Sequence, residues 1–114
     1  MAEFLLLFRG GPANGVNQSP EQMQAQMQKW NDWMGDLAKE GKMLGAQPLE
    51  HGGKTVRGKK KAVVDGPFAE GKEVIGGYLL CKADTIAEAV EISNGCPILE
   101  HEDGSVEVRA VRPM

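Results

Sequence analysis

The chain has 114 residues, 41% of them hydrophobic and 25% charged, with a formal net charge of −3. That length suits one domain, spanning 1–114, that buries a core without metal or disulfide support. The weak negative charge argues against a general pull toward nucleic acid or acidic membranes, and no stretch approaches the roughly 20 apolar residues that span a bilayer.

The start, Met1 to Gly10, is apolar but short. It lacks a basic beginning and a small-residue cleavage site, so it reads as no signal peptide and the chain as cytoplasmic. Within it Phe4-Leu5-Leu6-Leu7-Phe8 is a continuous apolar run of strand length, expected to be buried on both faces. Gly10 to Gln18 reads as a loop, with Gly10-Gly11-Pro12 and Asn14-Gly15 as turn signals.

Ser19-Pro20-Glu21-Gln22 is a helix start. Ser19 caps, Pro20 suits the first turn, and Gln22 reaches back as in a capping box. Met23, Met27, Trp30, Met34 and Leu37 follow at helical spacing and define one apolar face, and Gly41 ends the helix. Trp33 falls at the edge of that stripe, where it is either partly exposed or turned to a partner.

Met43 to Leu49 is a weaker strand ended by Pro48. Lys54 to Val64 reads as a hairpin turning at Gly58, with Lys59, Lys60 and Lys61 opening its second strand. Its basic residues, Lys54 and Arg57 included, protect an edge rather than bind nucleic acid, since no aromatic side chains interleave with them. Val74 to Ala83 is a strand in which Gly76-Gly77 marks a bulge or a close backbone approach. Thr85 and Glu88 form a second capping box, opening a helix with Ile86, Ala89, Val90 and Ser93 on one face. Asn94-Gly95 and Pro97 stop that helix, and Ser105 to Val111 closes the chain as an alternating strand.

Without the hairpin the order is β-α-β-β-α-β, an α+β fold of the ferredoxin-like kind: an antiparallel sheet with two helices on one face. The other face would carry residues from Phe4, Leu6 or Phe8, from Val74 or Tyr78, and from Val106 or Val108. Left in water it would be a large apolar patch, so a homodimer that pairs two such faces is expected.

The two cysteines, Cys81 and Cys96, read as buried reduced thiols. No Cys-x-x-Cys or His-x-x-x-His spacing occurs, so no metal is expected, and nothing in the sequence asks for a cofactor.

Between Asp65 and Val74 lies Gly66-Pro67-Phe68-Ala69-Glu70-Gly71-Lys72-Glu73, longer than the about two to five residues of an ordinary hairpin loop. It carries the candidate site. Asp65 is either a turn-former or a general base, a role that burial beside Phe68 would favour. Glu70, Lys72 and Glu73 are either solvated loop charges or polar groups at a pocket rim. The Gly-Lys-Glu run lacks the spacing of a phosphate loop. Tyr78 is either an interface aromatic or a proton donor. Trp30 is core or lines a cleft, and Arg109 pairs across a strand or presents an anion-binding fork. His51 is either an exposed loop residue or an acid–base group near neutral pH, and His101 reads as an exposed loop residue without chemistry.

The string D-G-P-F-A-E-G-K-E-V-I-G-G-Y-L-L resembles the signature of the DGPF branch of the YCII-related family. The Ser-Pro-Glu-Gln helix start, Gly95-Cys96-Pro97 and Val106 to Arg109 are similar to the same family, so the resemblance covers nearly the whole chain. It implies a ferredoxin-like fold forming a dimeric α/β barrel in a bacterial cytosolic protein, in a family mostly without assigned function. Some relatives resemble small-molecule enzymes with a His–Asp acid–base pair, a dehydrochlorinase of aromatic degradation among them. Others accompany alternative sigma factors, which implies a regulatory or protein-interaction module linked to transcription. The enzyme-like pattern has a His early in the first helix, whereas this chain has Met27-Gln28-Lys29-Trp30-Asn31 there, so the pair does not carry over. Whether the chain is an enzyme stays open. The two expectations are a small-molecule ligand bound at Asp65, Tyr78, Trp30, Phe68, Glu70, Lys72, Glu73 and Arg109, or an interaction module.

Overall fold

A computed structural model describes residues 2–11, 19–50, 52–66 and 74–114. The central strand β1 (Ala2–Arg9) pairs antiparallel with β5 (Ile75–Ala83) on one side and with β6 (Ser105–Ala110) on the other. β2 (Met43–Pro48) pairs outside β5, which gives the order β2-β5-β1-β6. Helices α1 (Pro20–Lys39) and α2 (Ile86–Ser93) supply the second layer. This is the ferredoxin-like arrangement. A two-stranded hairpin of β3 (Gly53–Arg57) and β4 (Ala62–Gly66) is inserted between β2 and β5 and forms a separate sheet.

Both helix starts follow local chemistry. Ser19 Oγ accepts from the Gln22 backbone N–H at 3.1 Å and Gln22 Oε1 accepts from Ser19 N–H at 2.8 Å, a complete capping box. Thr85 Oγ1 caps Glu88 N–H in the same way, but Glu88 reaches one residue further and accepts from Asp84 N–H. Gly41 takes φ +71° just beyond α1, where only a residue without Cβ sits unstrained.

The face assignment of β1 departs from the sequence expectation. Phe4, Leu6 and Phe8 lie under the helices, opposite Cys81, Leu79 and Gly77 of β5 and Ala110, Val108 and Val106 of β6. Leu5 and Leu7 take the uncovered face with Tyr78. Phe4, Leu6, Phe8, Val106 and Val108 therefore belong to the core and not to the open side. An apolar run has no period of its own, so its partners decide which face it shows.

The helices pack differently as well. α1 buries Leu37 fully and half-buries Trp30, Trp33 and Met34, whereas Met23 and Met27 stand exposed. Trp33 is partly exposed, as its place at the stripe's edge suggests, and its indole N–H donates to the Ile92 carbonyl at 3.1 Å and ties α1 to α2. Phe8, Trp30 and Trp33 meet edge to face, with centroids 5.1 to 6.0 Å apart. On α2 the buried side chains are Ala89 and Ser93, with Ile92 partly covered, while Ile86 and Val90 face outward. The hairpin turns over Gly58 to Lys61, so the three lysines form the turn and not the second strand. A 3-10 turn at Pro97–Glu100, absent from the sequence reading, leads into β6.

Gly76 and Gly77 play separate parts. Phe8 pairs with Gly77 and Arg9 with Ile75, so Gly76 is the extra residue of a bulge. A Cβ on Gly77 would lie 3.0 Å from the Gln47 carbonyl oxygen and 3.3 Å from Pro48 Cα, whereas one on Gly76 meets nothing within 4 Å. Gly77→Ala is expected to cost about 1–3 kcal/mol in urea denaturation, because the obstacle is the β2 backbone. Gly76→Ala is expected to stay within about 0.5 kcal/mol. Equal losses would show that β5 does not approach β2 this closely.

Candidate functional site

The open face of the sheet is built in rows. Register places Gln47, Tyr78, Leu7 and Glu107 side by side across β2, β5, β1 and β6. Gly45, Leu80, Leu5 and Arg109 make the next row. Leu5, Leu7, Tyr78 and Leu80 are all half-buried, and both helices lie on the opposite side. The centre of the face is apolar and its β6 border is charged.

That border is an ionic triad. Arg9 Nη1 donates to Glu107 Oε1 at 2.5 Å and Arg109 Nη1 donates to Glu107 Oε2 at 3.2 Å. The Arg109 hydrogen bond, then that of Arg9, holds the Glu107 carboxyl below the usual carboxylate range. Arg109 is 67% exposed, so its guanidinium keeps donors directed to solvent on this face.

Tyr78 and Arg109 thus share the open face. Trp30 does not join them: the α1 stripe carries it onto Phe8 on the helix side, and it is a core residue. Asp65 lies on β4, outside the main sheet, where it pairs with Lys54, its cross-strand partner. Its side chain is 84% exposed, so the burial that would suit a general base is not provided within the chain. Phe68, Glu70, Lys72, Glu73 and His51 lie outside the described residues. His101 is not the exposed residue expected. It is half-buried, and its Nε2 is buried without a hydrogen-bond partner among the described residues. Glu107 was missed; its signal was the alternation of Val106, Val108 and Ala110, which puts Glu107 and Arg109 on one face.

Among the described residues no group of three or more His, Cys, Asp or Glu side chains is placed to hold a metal ion, and no helix is long and apolar enough to cross a membrane. Cys81 and Cys96 are buried free thiols. Burial raises both, Cys96 to about 12, which leaves neither as a thiolate nucleophile near neutral pH.

The topology defines a ferredoxin-like α+β protein with one sheet face uncovered in the single chain. The YCII-related domain model matches residues 3–114, and the chain belongs to that family. No curated protein sequence matches significantly. A similar solved structure is that of 5-chloro-2-hydroxyhydroquinone dehydrochlorinase from Burkholderia phenoliruptrix AC1100 in complex with 2,5-dihydroxybenzoquinone, with 14% identity over 96% of this chain and 93% of that one and a TM-score of 0.49.

Two measurements check this electrostatic picture. Carboxyl NMR is expected to find Glu107 titrating below an ordinary glutamate, and Arg109→Ala is expected to move it back up. Because the folded value is the lower one, the stabilisation is complete above the ordinary glutamate range and is lost as pH falls through the lowered value. A thiol reagent at neutral pH is expected to leave both cysteines unmodified in the native chain and to label both in denaturant. Fast native labelling of Cys96 would contradict its burial.

Proposed function

We propose that two copies of the chain bring their open sheet faces together and enclose a pocket that binds a small organic molecule. The observation behind this is the patch of Leu5, Leu7, Tyr78 and Leu80 in mid-sheet, bordered by Gln47, Glu107, Arg9 and Arg109. Monomers rarely leave a contiguous apolar sheet face in water, and an isologous pairing of two sheets covers it. A mostly apolar wall with a few polar groups is the usual composition of a small-molecule site.

In this reading the Tyr78 hydroxyl orients the ligand or gives it a proton, and Arg109 offers donors to an anionic group. Asp65 serves as the base where a reaction occurs, with Phe68, Glu70, Lys72 and Glu73 at the rim on sequence grounds. The site needs no cofactor. We place the chain in the DGPF branch, as a bacterial cytoplasmic protein. A second reading, an interaction module linked to transcription, draws support from the missing histidine between Met27 and Asn31.

Native mass spectrometry of the purified chain tests the proposal. A dimer carrying a small adduct that leaves on denaturation is the expected result, with Leu7→Asp giving a monomer and Tyr78→Phe losing most of the adduct. A monomeric wild type overturns the pairing of faces. A dimer without adduct that captures a partner protein favours the interaction module.

A further inference from the structure

β6 lies at one edge of the main sheet, with β1 as its sole strand neighbour among the described residues. Its pairing with β1 fixes which backbone groups it turns outward. The Val111 N–H donates to the Glu3 carbonyl at 2.9 Å, so Glu3 and Val111 are a hydrogen-bonded pair. Such pairs alternate along an antiparallel ladder. In this register Leu5–Arg109, Leu7–Glu107 and Arg9–Ser105 are the bonded pairs that follow. Val106, Val108 and Ala110 therefore point their N–H and C=O groups away from β1, and no described residue pairs with them on that side.

The two edges of the sheet are not alike. β2 carries Pro48 at its end and a register shift between Met43 and Gly45, devices that hinder a further strand. β6 has no proline, no lysine and no bulge against β1. An open edge of this kind accepts another strand through its backbone groups.

The sequence of β6 specifies whose strand fits. Antiparallel pairing with the same strand of a second copy, centred on Val108, sets Val108 opposite Val108, Val106 opposite Ala110 and Glu107 opposite Arg109. Each outward N–H then meets a carbonyl of the other copy, and the Glu107–Arg109 pair occurs twice. Centring the pair on Glu107 or on Arg109 instead would set like charges face to face, so charge selects the register. Cα atoms of opposite residues at such a non-hydrogen-bonded position lie about 4.5 Å apart, whereas two steps along one strand cover about 6.6 Å. Glu107 thus gains a nearer guanidinium than its own Arg109, whose side chain is 67% exposed. On the helix side, Val106 and Val108, already packed against the core, extend that apolar layer into the second copy.

We propose that β6 pairs with β6 of a second copy in the plane of the sheet, and that Arg109 of that copy completes the ionic border of the open face. The two-fold axis of this contact is normal to the sheet, so the helices of both copies stay on one side and the open faces on the other. The contact leaves the open faces free and does not depend on the face pairing proposed above. One short edge with two exposed ion pairs is a weak contact, in keeping with a Leu7→Asp chain that is monomeric when dilute.

Sedimentation equilibrium of the full-length Leu7→Asp chain isolates the edge, because its faces no longer pair. Its mass is expected to rise from monomer to dimer as concentration is raised. Adding Ala110→Pro removes an outward N–H without touching the ladder to β1, and is expected to weaken this dimer at least ~10-fold. Adding Arg109→Glu or Glu107→Arg is expected to weaken it ~10-fold at low salt, and mixing those two chains to restore association, since opposite charges then meet again. Where Leu7→Asp prevents folding, the same variants are compared in the otherwise wild-type chain, reading the doubling in mass of its smallest species. A chain that stays at its smallest species at the highest concentration overturns the edge pairing, as does an unchanged constant in the Ala110→Pro variant. Mixed chains that associate no better than either alone overturn it too. None of these results bears on the paired faces, which stand or fall with the wild-type mass and its change in Leu7→Asp when dilute.

Discussion

The antiparallel register of β1 against β5 and β6 is the constraint from which the rest follows. β1 is apolar on both sides, so hydrophobicity alone would let it turn either way. Its neighbours settle the matter. On the helix side β5 offers Gly77, Leu79, Cys81 and Ala83, small enough in two places to accept Phe8 and Phe4 directly opposite. On the other side it offers Tyr78, Leu80 and Lys82. β6 adds Val106, Val108 and Ala110 to the first face and Glu107 and Arg109 to the second. A slip of one residue would set Leu5 and Leu7 among the small residues and drive charged side chains under the helices. The cost would be cavities together with buried ions.

The same register creates the candidate site. Once Phe4, Leu6 and Phe8 are committed to the helices, Leu5 and Leu7 have only the open side. Arg9 follows Leu7 onto that side by alternation, where Glu107 receives it, while the bulge at Gly76 sets Ile75 opposite it. Core and site are two faces of one strand pairing. Substitutions on β1 therefore act on both, through volume on one face and through exposed apolar surface on the other.

Much of the fold was legible because it rests on local rules. The Ser19–Gln22 capping box, Gly41 beyond α1 and the Gly76-Gly77 irregularity each follow from a short stretch of chain. What was not legible depended on distant partners. Trp33 is drawn inward by a carbonyl on α2 59 positions away, and Gly95 leaves room for its ring, since a Cβ there would lie 3.1 Å from the indole. Ile86 and Val90 fit the helical stripe as well as Ala89 and Ser93 do, and only the docking angle of α2 decides between them. Tyr78 and Arg109 were legible as candidate types, but their sharing of a face, with Trp30 on the other, is a matter of sheet pairing that no single segment contains.

The hairpin joins these threads. It enters between β2 and β5, the one connection that a plain ferredoxin-like chain would close with a turn, and it carries most of the local excess of positive charge. Its last strand ends at Asp65-Gly66, where the Asp-Gly-Pro-Phe motif begins. The insertion thus supplies Asp65, the last carboxylate before the connection back to β5. An element that buries none of its residues in the core contributes little to the stability of the single chain. Its exposed Val56–Val63 pair leaves apolar surface in water, while the lysines around its turn discourage further strand pairing.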